Sequence, residues 1–281
     1  MALILFSYIF SQEKYTMISF PETQEYIGNV EGSIPNCIRG PYLQIGTPYS
    51  IIIRWRTDIA TDSRLRYGID STSLNQMVDS LSQITEHEVT LTNLSPNTKY
   101  YYSVETTMEV LSSDSDHYFV TAPPIGTKQK THIWILGDSG TANNSAASVR
   151  DAYYNISDDT NTDFWVMLGD NAYDSGTDVE YQAAVFNMYT NMLKKSVLWP
   201  AFGNHEGPSA NSDNQTGIFY DIFTLPTNAE AGGSASGTEA YYSFDYANIH
   251  FICLNSHDID RSVTGEMCSW LQDDLYETTQ E

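Results

Sequence analysis

Positive charge is scarce in this sequence: 13 Lys and Arg stand against 36 Asp and Glu, a formal charge of −23. A chain so poor in cations has little with which to displace phosphate counterions, which argues against nucleic acid and against an anionic membrane as partner. Cysteine is also sparse. Cys37, Cys253 and Cys268 are scattered and form no CxxC pair, which argues against a thiolate zinc site and a dense disulfide scaffold. A single Cys253–Cys268 disulfide stays open for an oxidising compartment. No apolar run reaches the roughly 18 residues that a membrane span requires, and no internal repeat is visible. Core material is plentiful: 41% of the 281 residues are hydrophobic, with 20 Tyr, 11 Phe and 5 Trp. That is enough for about two packed domains and excludes disorder. The acidic balance poses a question: to attract an anionic substrate, the protein must hold cations.

Residues 1–11, MALILFSYIFS, are apolar and too short to span a bilayer. They read as the hydrophobic part of an export signal with cleavage near Ser11–Gln12, so a secreted or periplasmic location is expected. The first cation is Lys14, so the usual basic lead is missing. Either the true start lies upstream or the segment is a buried strand. Residues 12–37 are polar and unpatterned, a linker.

From 38 to 124 short strand-like runs alternate with turns: Ser50–Thr57, Arg64–Tyr67, His87–Leu91, Lys99–Val104 and Tyr118–Val120. Such spacing predicts a β-sandwich. Leu94-Ser95-Pro96-Asn97-Thr98-Lys99-Tyr100 places a tyrosine at a sandwich corner, where its hydroxyl can bond backbone across the turn, and the region resembles a fibronectin type III domain. His87 and His117 are expected on the strand surface.

The pattern changes after Ala122–Gly126. Residues 131–136 and 163–168 are compact apolar strands, with a helix over Ala146–Ile156 between them. Thr177 opens a second helix with Glu180 three residues on, a capping box, and Phe186, Tyr189 and Leu193 form its apolar face. Val197–Phe202 is a third strand. This order predicts a parallel sheet of right-handed βαβ crossovers over 125–281. Residues 207–239 read as one long loop, Tyr241–Asp245 and Ile249–Leu254 as a hairpin, and Met267–Tyr276 as an amphipathic stretch.

The three parallel strands end alike, in Gly137-Asp138, Gly169-Asp170 and Gly203-Asn204, spaced 32 and 34 residues apart. In a parallel sheet the carboxyl ends lie side by side and ligands bind there. Asp138, Asp170 and Asn204 should therefore converge. Two carboxylates brought together repel unless one is protonated or a cation lies between them. Oxygen donors suit hard divalent or trivalent cations, and a pair of metals could clamp a phosphoryl group. The alternative is that these are ordinary turn residues.

With Gly137-Asp138-Ser139-Gly140, Gly169-Asp170-Asn171-Ala172-Tyr173 and Gly203-Asn204-His205-Glu206, the chain resembles the GDxG, GDxxY and GNHE motifs of purple acid phosphatases, which are calcineurin-like metallophosphoesterases. Arg39-Gly40-Pro41-Tyr42-Leu43-Gln44 and Trp55-Arg56-Thr57 strengthen the resemblance. It implies a multidomain α+β chain: a fibronectin III-like sandwich, then the first part of a calcineurin-like α/β domain. It further implies that Asp138 binds Fe(III), Asp170 bridges two metals, Tyr173 is a phenolate ligand of iron, and Asn204 binds a divalent Fe, Zn or Mn. His205 would touch the phosphate. The implied reaction is hydrolysis of a small-molecule phosphate monoester by metal-bound hydroxide.

The family pattern continues with VxxH and GHxH, and neither occurs here. Leu254-Asn255-Ser256-His257 imitates VxxH but falls one element too early, and His250 reads as strand packing. A chain truncated at its C-terminal end, with weak metal binding and little turnover, is the expectation. Three alternatives stay open: a serine hydrolase using Ser139, a phosphodiesterase or nucleotidase on the same metal site, and an inert secreted binding module.

Overall fold

The computed structural model describes residues 34–157 and 162–278. The apolar segment 1–11 and nearly all of the expected linker lie outside the described residues. Two units are distinguished, Met1–Ile34 and Pro35–Glu281; everything below belongs to the second.

The sandwich is built from β1 (Cys37–Gln44), β2 (Ile51–Gly68), β3 (Gln76–Leu91), β4 (Lys99–Glu105), β5 (Val110–Ser112) and β6 (Tyr118–Val120). All pairings are antiparallel. The runs Ser50–Thr57 and Arg64–Tyr67, which look separate in sequence, form one 18-residue strand, β2. Its register against β3 slips between Arg56 and Ser63. Before the slip it pairs with β1 and after it with β4. A bulge bends a strand in this way, letting it serve both sides of a sandwich. Ile51, Ile53 and Trp55 alternate into the core. At the expected corner, the amide of Ser95 donates to the Tyr100 hydroxyl at 2.9 Å.

His87 and His117 are not on the surface. His87 is fully buried, stacks 4.8 Å from the Trp55 ring, and meets Thr57 at 2.9 Å and Ser63 at 2.8 Å. His117 is buried between Ser112 and Asp114. Hydroxyls on neighbouring strands and, for His117, the carboxylate of Asp114 three residues before it make burial of these imidazoles tolerable, and the strand hydroxyls do not show in a one-strand pattern.

The second half contains β7 (Ile133–Leu136), α1 (Asn144–Ser157), β8 (Phe164–Met167), α2 (Asp178–Tyr181), a π-helical turn (Gln182–Phe186), α3 (Thr190–Leu193) and β9 (Val197–Pro200). Strands β7, β8 and β9 form a parallel sheet in that order, with Leu136 level with Met167 and Met167 with Pro200. Thr177 closes the expected capping box with Glu180. The single helix expected after it is broken by the π turn, where Gln182 is held by Arg39 and by the Ile38 carbonyl of β1.

The expected loop 207–239 is partly ordered into β10 (Ala210–Asn211), β11 (Thr216–Gly217) and α4 (Ile218–Ile222). These elements are too short to show a period, yet Phe219, Tyr220 and Ile222 bury against the main core. The hairpin β12 (Tyr242–Tyr246) and β13 (Ile249–Cys253) and the helix α5 (Glu266–Thr278) complete the chain. Cys253 and Cys268 are free thiols rather than a disulfide. Cys253 lies toward the Pro200 carbonyl, and Cys268 accepts from Gln272 on its own helix.

One continuous hydrophobic core joins the sandwich to the α/β half. Tyr42 donates to the Ile222 carbonyl at 2.6 Å, and Tyr102 to that of Lys194 at 2.7 Å. Asp178, at the start of α2, takes both Arg56 nitrogens at 2.6 and 2.8 Å and Arg39 at 2.9 Å. Among the described residues no helix is long and apolar enough to cross a membrane.

Candidate metal centre

Level strand ends place the three following loops together. Asp138 and Asp170 occupy the same left-handed conformation, with φ of 52° and 54°. Asp tolerates this region better than most residues, and such conformations concentrate at functional sites. Gly169, at φ 96°, packs so close to Gly203 that a Cβ would lie 2.9 Å from the Gly203 Cα. A Cβ on Gly203 would run into the amide and Oδ1 of Asp170. The glycines let the second and third loops touch backbone to backbone. The first and second loops are joined by Gly140 donating to the Asp170 carbonyl at 3.1 Å and Tyr173 donating to the Gly140 carbonyl at 2.9 Å.

The phenol of Tyr173 points between the two carboxylates, 2.8 Å from Asp138 Oδ1 and 3.2 Å from Asp170 Oδ2. Desolvation first, then its hydrogen bond to Asp138 and the charge of Asp170, push its pKa well above the ordinary tyrosine value. Asp170 Oδ1 accepts the His205 amide at 3.0 Å. The His205 ring meets that of Tyr173 edge-on at 4.3 Å, and its Nδ1 lies 2.6 Å from the Asp174 carbonyl. That backbone contact is the main cause of its raised pKa, with nearby Asp170 and Asp174 adding to it. Asn204 is exposed at the rim of a cavity of about 190 Å³ that Asp138, Asp170, Ser256 and His257 also line.

The structure thus joins Asp138, Asp170, Tyr173 and His205 by direct contacts and sets Asn204 on the same cavity. Two neighbours went unassigned or undervalued in the sequence. Glu206 is buried beneath the loops and accepts hydrogen bonds from three of their amides. His257, which follows β13 one element before the family's VxxH position, lies on the cavity, its ring 6.2 Å from Phe202. Its amide is held by the buried Asn255 at 2.9 Å. Only the return of the hairpin over the sheet brings it there. His250 is elsewhere, between Asp245 and Asp274. No imidazole hydrogen bond among the described residues reaches Ser139.

Among the described residues no group of three or more His, Cys, Asp and Glu side chains is placed to hold a metal ion. The converging donors are of another kind: two carboxylates and a phenol whose oxygens face one another, with an amide on the same cavity. Two carboxylate oxygens within hydrogen-bond distance of one phenol oxygen are the kind of donors that suit a hard cation.

Residues 38–122 match the family described as Purple acid Phosphatase, N-terminal domain, and residues 131–278 match Calcineurin-like phosphoesterase. Purple acid phosphatase 15 of Arabidopsis thaliana is 26% identical over 212 residues, which cover 67% of this chain and 38% of that protein. Purple acid phosphatase 13 of the same plant is 25% identical over 279 residues, covering 86% of this chain and 48% of that protein. The chain therefore spans less than half the length of these curated relatives. Among solved structures, a purple acid phosphatase isolated from yellow lupin (Lupinus luteus) seeds shares the fold, with a TM-score of 0.63 at 17% identity over 84% of this chain and 48% of that one.

Proposed function

Because this chain belongs to the purple acid phosphatases, calcineurin-like phosphoesterases with a β-sandwich ahead of the α/β domain, we propose that it hydrolyses small-molecule phosphate monoesters at the loops bearing Asp138, Asp170, Tyr173, Asn204 and His205. One observation carries the proposal: carboxylates 32 residues apart in sequence meet on a single phenol. A pair of cations, Fe(III) and a divalent Fe, Zn or Mn, held by Asp138, Asp170, Tyr173 and Asn204, would supply the positive charge this acidic chain lacks, polarise phosphoryl oxygens and lower the pKa of water.

The protein's own groups have separable tasks. Asp170 keeps one oxygen toward Tyr173 and the other on the His205 amide, so its carboxylate is oriented from both sides. His205 keeps its Nδ1 proton on the Asp174 carbonyl, so Nε2 is the ring nitrogen that would meet substrate. The raised pKa widens the range in which the ring is cationic. In that form it would offset phosphoryl charge and give a proton to the leaving alkoxide. Without imidazoles from VxxH or GHxH in these 281 residues, the second cation would rest chiefly on Asp170 and Asn204, and low turnover by this chain alone is part of the proposal. Export, read from residues 1–11, is consistent with an extracellular substrate.

The test compares p-nitrophenyl phosphate with bis(p-nitrophenyl) phosphate after loading with iron and manganese. Monoester hydrolysis that falls by roughly 100-fold or more in Asp170→Asn is the expected result. A preference for the diester would move the reading to a phosphodiesterase. No metal-dependent hydrolysis of either ester would favour a binding module.

A further inference from the structure

The proposed chemistry requires Asp170 and Asn204, carried on different loops, to keep a fixed separation. One side chain touches the backbone of both loops. Glu206 is 0% exposed. Its Oε2 accepts the amides of Asp170 at 3.0 Å and Gly203 at 2.8 Å, and its Oε1 accepts the Asn171 amide at 2.8 Å and the Tyr181 hydroxyl at 3.1 Å. Four donors on two oxygens occupy the carboxylate's acceptor sites. A buried anion is tolerated only when hydrogen bonds replace its water in this way. Two of the four donors adjoin the centre directly: one is the amide of Asp170 itself, and another precedes Asn204 by one residue. The packing is also tight, since a Cβ on Gly203 would lie 2.8 Å from Glu206 Oε2.

Resting on the metal-centre reading, we infer that Glu206 is a positioning residue. It clamps the Gly169–Asn171 turn to the Gly203–His205 turn and so sets the separation of Asp170 from Asn204. It touches neither cation nor substrate.

The test is a Mn²⁺ titration of the 281-residue chain, read from the electron paramagnetic resonance signal of free Mn²⁺ and counting only the uptake that Asp170→Asn abolishes. Thermal unfolding is measured alongside. Glu206→Gln keeps the size of the side chain but turns one acceptor position into an NH₂ donor, so at least one turn amide loses its acceptor. That amide is Asn171 if the nitrogen replaces Oε1, and both Asp170 and Gly203 lose theirs if it replaces Oε2. Mn²⁺ affinity is expected to fall about 10-fold or more. Tyr181→Phe removes a donor from neither turn, and Asp274→Asn alters a fully buried carboxylate on α5. Both are expected to hold Mn²⁺ affinity within about threefold, whatever happens to Tm. Should Glu206→Gln fail to fold, Glu206→Asp keeps the charge on a stem too short to reach both turns and is expected to show the same loss. Unchanged affinity in the Glu206 variants overturns the inference, as does an equal loss in Tyr181→Phe or Asp274→Asn. A wild-type chain with no site-specific Mn²⁺ uptake overturns the metal-centre reading itself, and the clamp with it.

Discussion

The Tyr173 hydroxyl donates to Asp138 at 2.8 Å across 35 residues of sequence, and the same phenol lies 3.2 Å from Asp170. Its proton thus stands between two carboxylates that would otherwise repel. A cation in that position would replace the proton and reverse the shift of the phenol, from raised to strongly lowered.

Tyr173→Phe removes only the shared oxygen. In a ferric titration the wild-type chain is expected to develop a visible phenolate-to-iron absorption band and the variant none. Because the ring still packs against His205, the loss of stability by thermal unfolding should stay near 1 kcal/mol. A band of equal strength in both proteins would remove Tyr173 from the centre.

Gly203→Ala places a methyl against the Asp170 amide and within 2.8 Å of Glu206. Neither neighbour can give way without moving a turn, so a cost of about 1–3 kcal/mol in denaturant unfolding is expected. Mn²⁺ uptake should fall with it. Full stability in the variant would show that the close approach of the two turns is not needed.

His250 and His87 should give pH dependences of opposite sign. Burial opposes charge on His250, but Asp245 at 2.8 Å and Asp274 at 2.7 Å outweigh it and its pKa is raised. Its contribution is therefore fully present below the unfolded value of about 6.5 and lost as pH rises through the folded one. Burial lowers His87 to about 4. Protons then bind preferentially to the unfolded chain, and its contribution is lost as pH falls from about 6.5 toward 4. Thermal unfolding from pH 4 to 9 should show the alkaline slope reduced in His250→Gln and the acid slope reduced in His87→Gln. The same slopes in both variants as in the wild type would refute the assignment.

Asp178→Ala leaves the guanidinium of Arg39, whose side chain is fully buried, without its carboxylate. Gln182 and the ring of Phe186 remain beside it. Since Asp178 itself is partly exposed, a loss of about 2 kcal/mol is expected, below the roughly 3–5 kcal/mol of a fully buried pair. Asp178→Glu, which keeps the charge, should recover part of it. Equal loss in both variants would point to the helix start rather than to the ion pair.

Much of the architecture is legible along the chain because local rules determine it. The period-2 run at Ile51–Trp55, the Thr177–Glu180 capping box and the Ser95–Tyr100 corner each need only a few neighbouring residues, and each is found where expected. The motifs after the three parallel strands are legible for the same reason, since a strand end followed by glycine and an oxygen donor is a local pattern. The elements that failed to show are those whose partners lie far away in sequence. The strand break between Thr57 and Arg64 vanishes because β3 pairs with β2 on both sides of the register slip and at Thr61 within it. The helix after Thr177 breaks where β1 holds Gln182.

From residue order alone came the family resemblance, the alternation of strands and helices in the second half, and the oxygen-rich character of the centre, because hydrophobic period and donor type are properties of short segments. Tertiary structure decided which carboxylates face one phenol, that His257 shares their cavity, that His87 is buried, and that Glu206 lies beneath two turns at once. These depend on how distant loops are brought together by register and packing, and a linear pattern carries no distances across space.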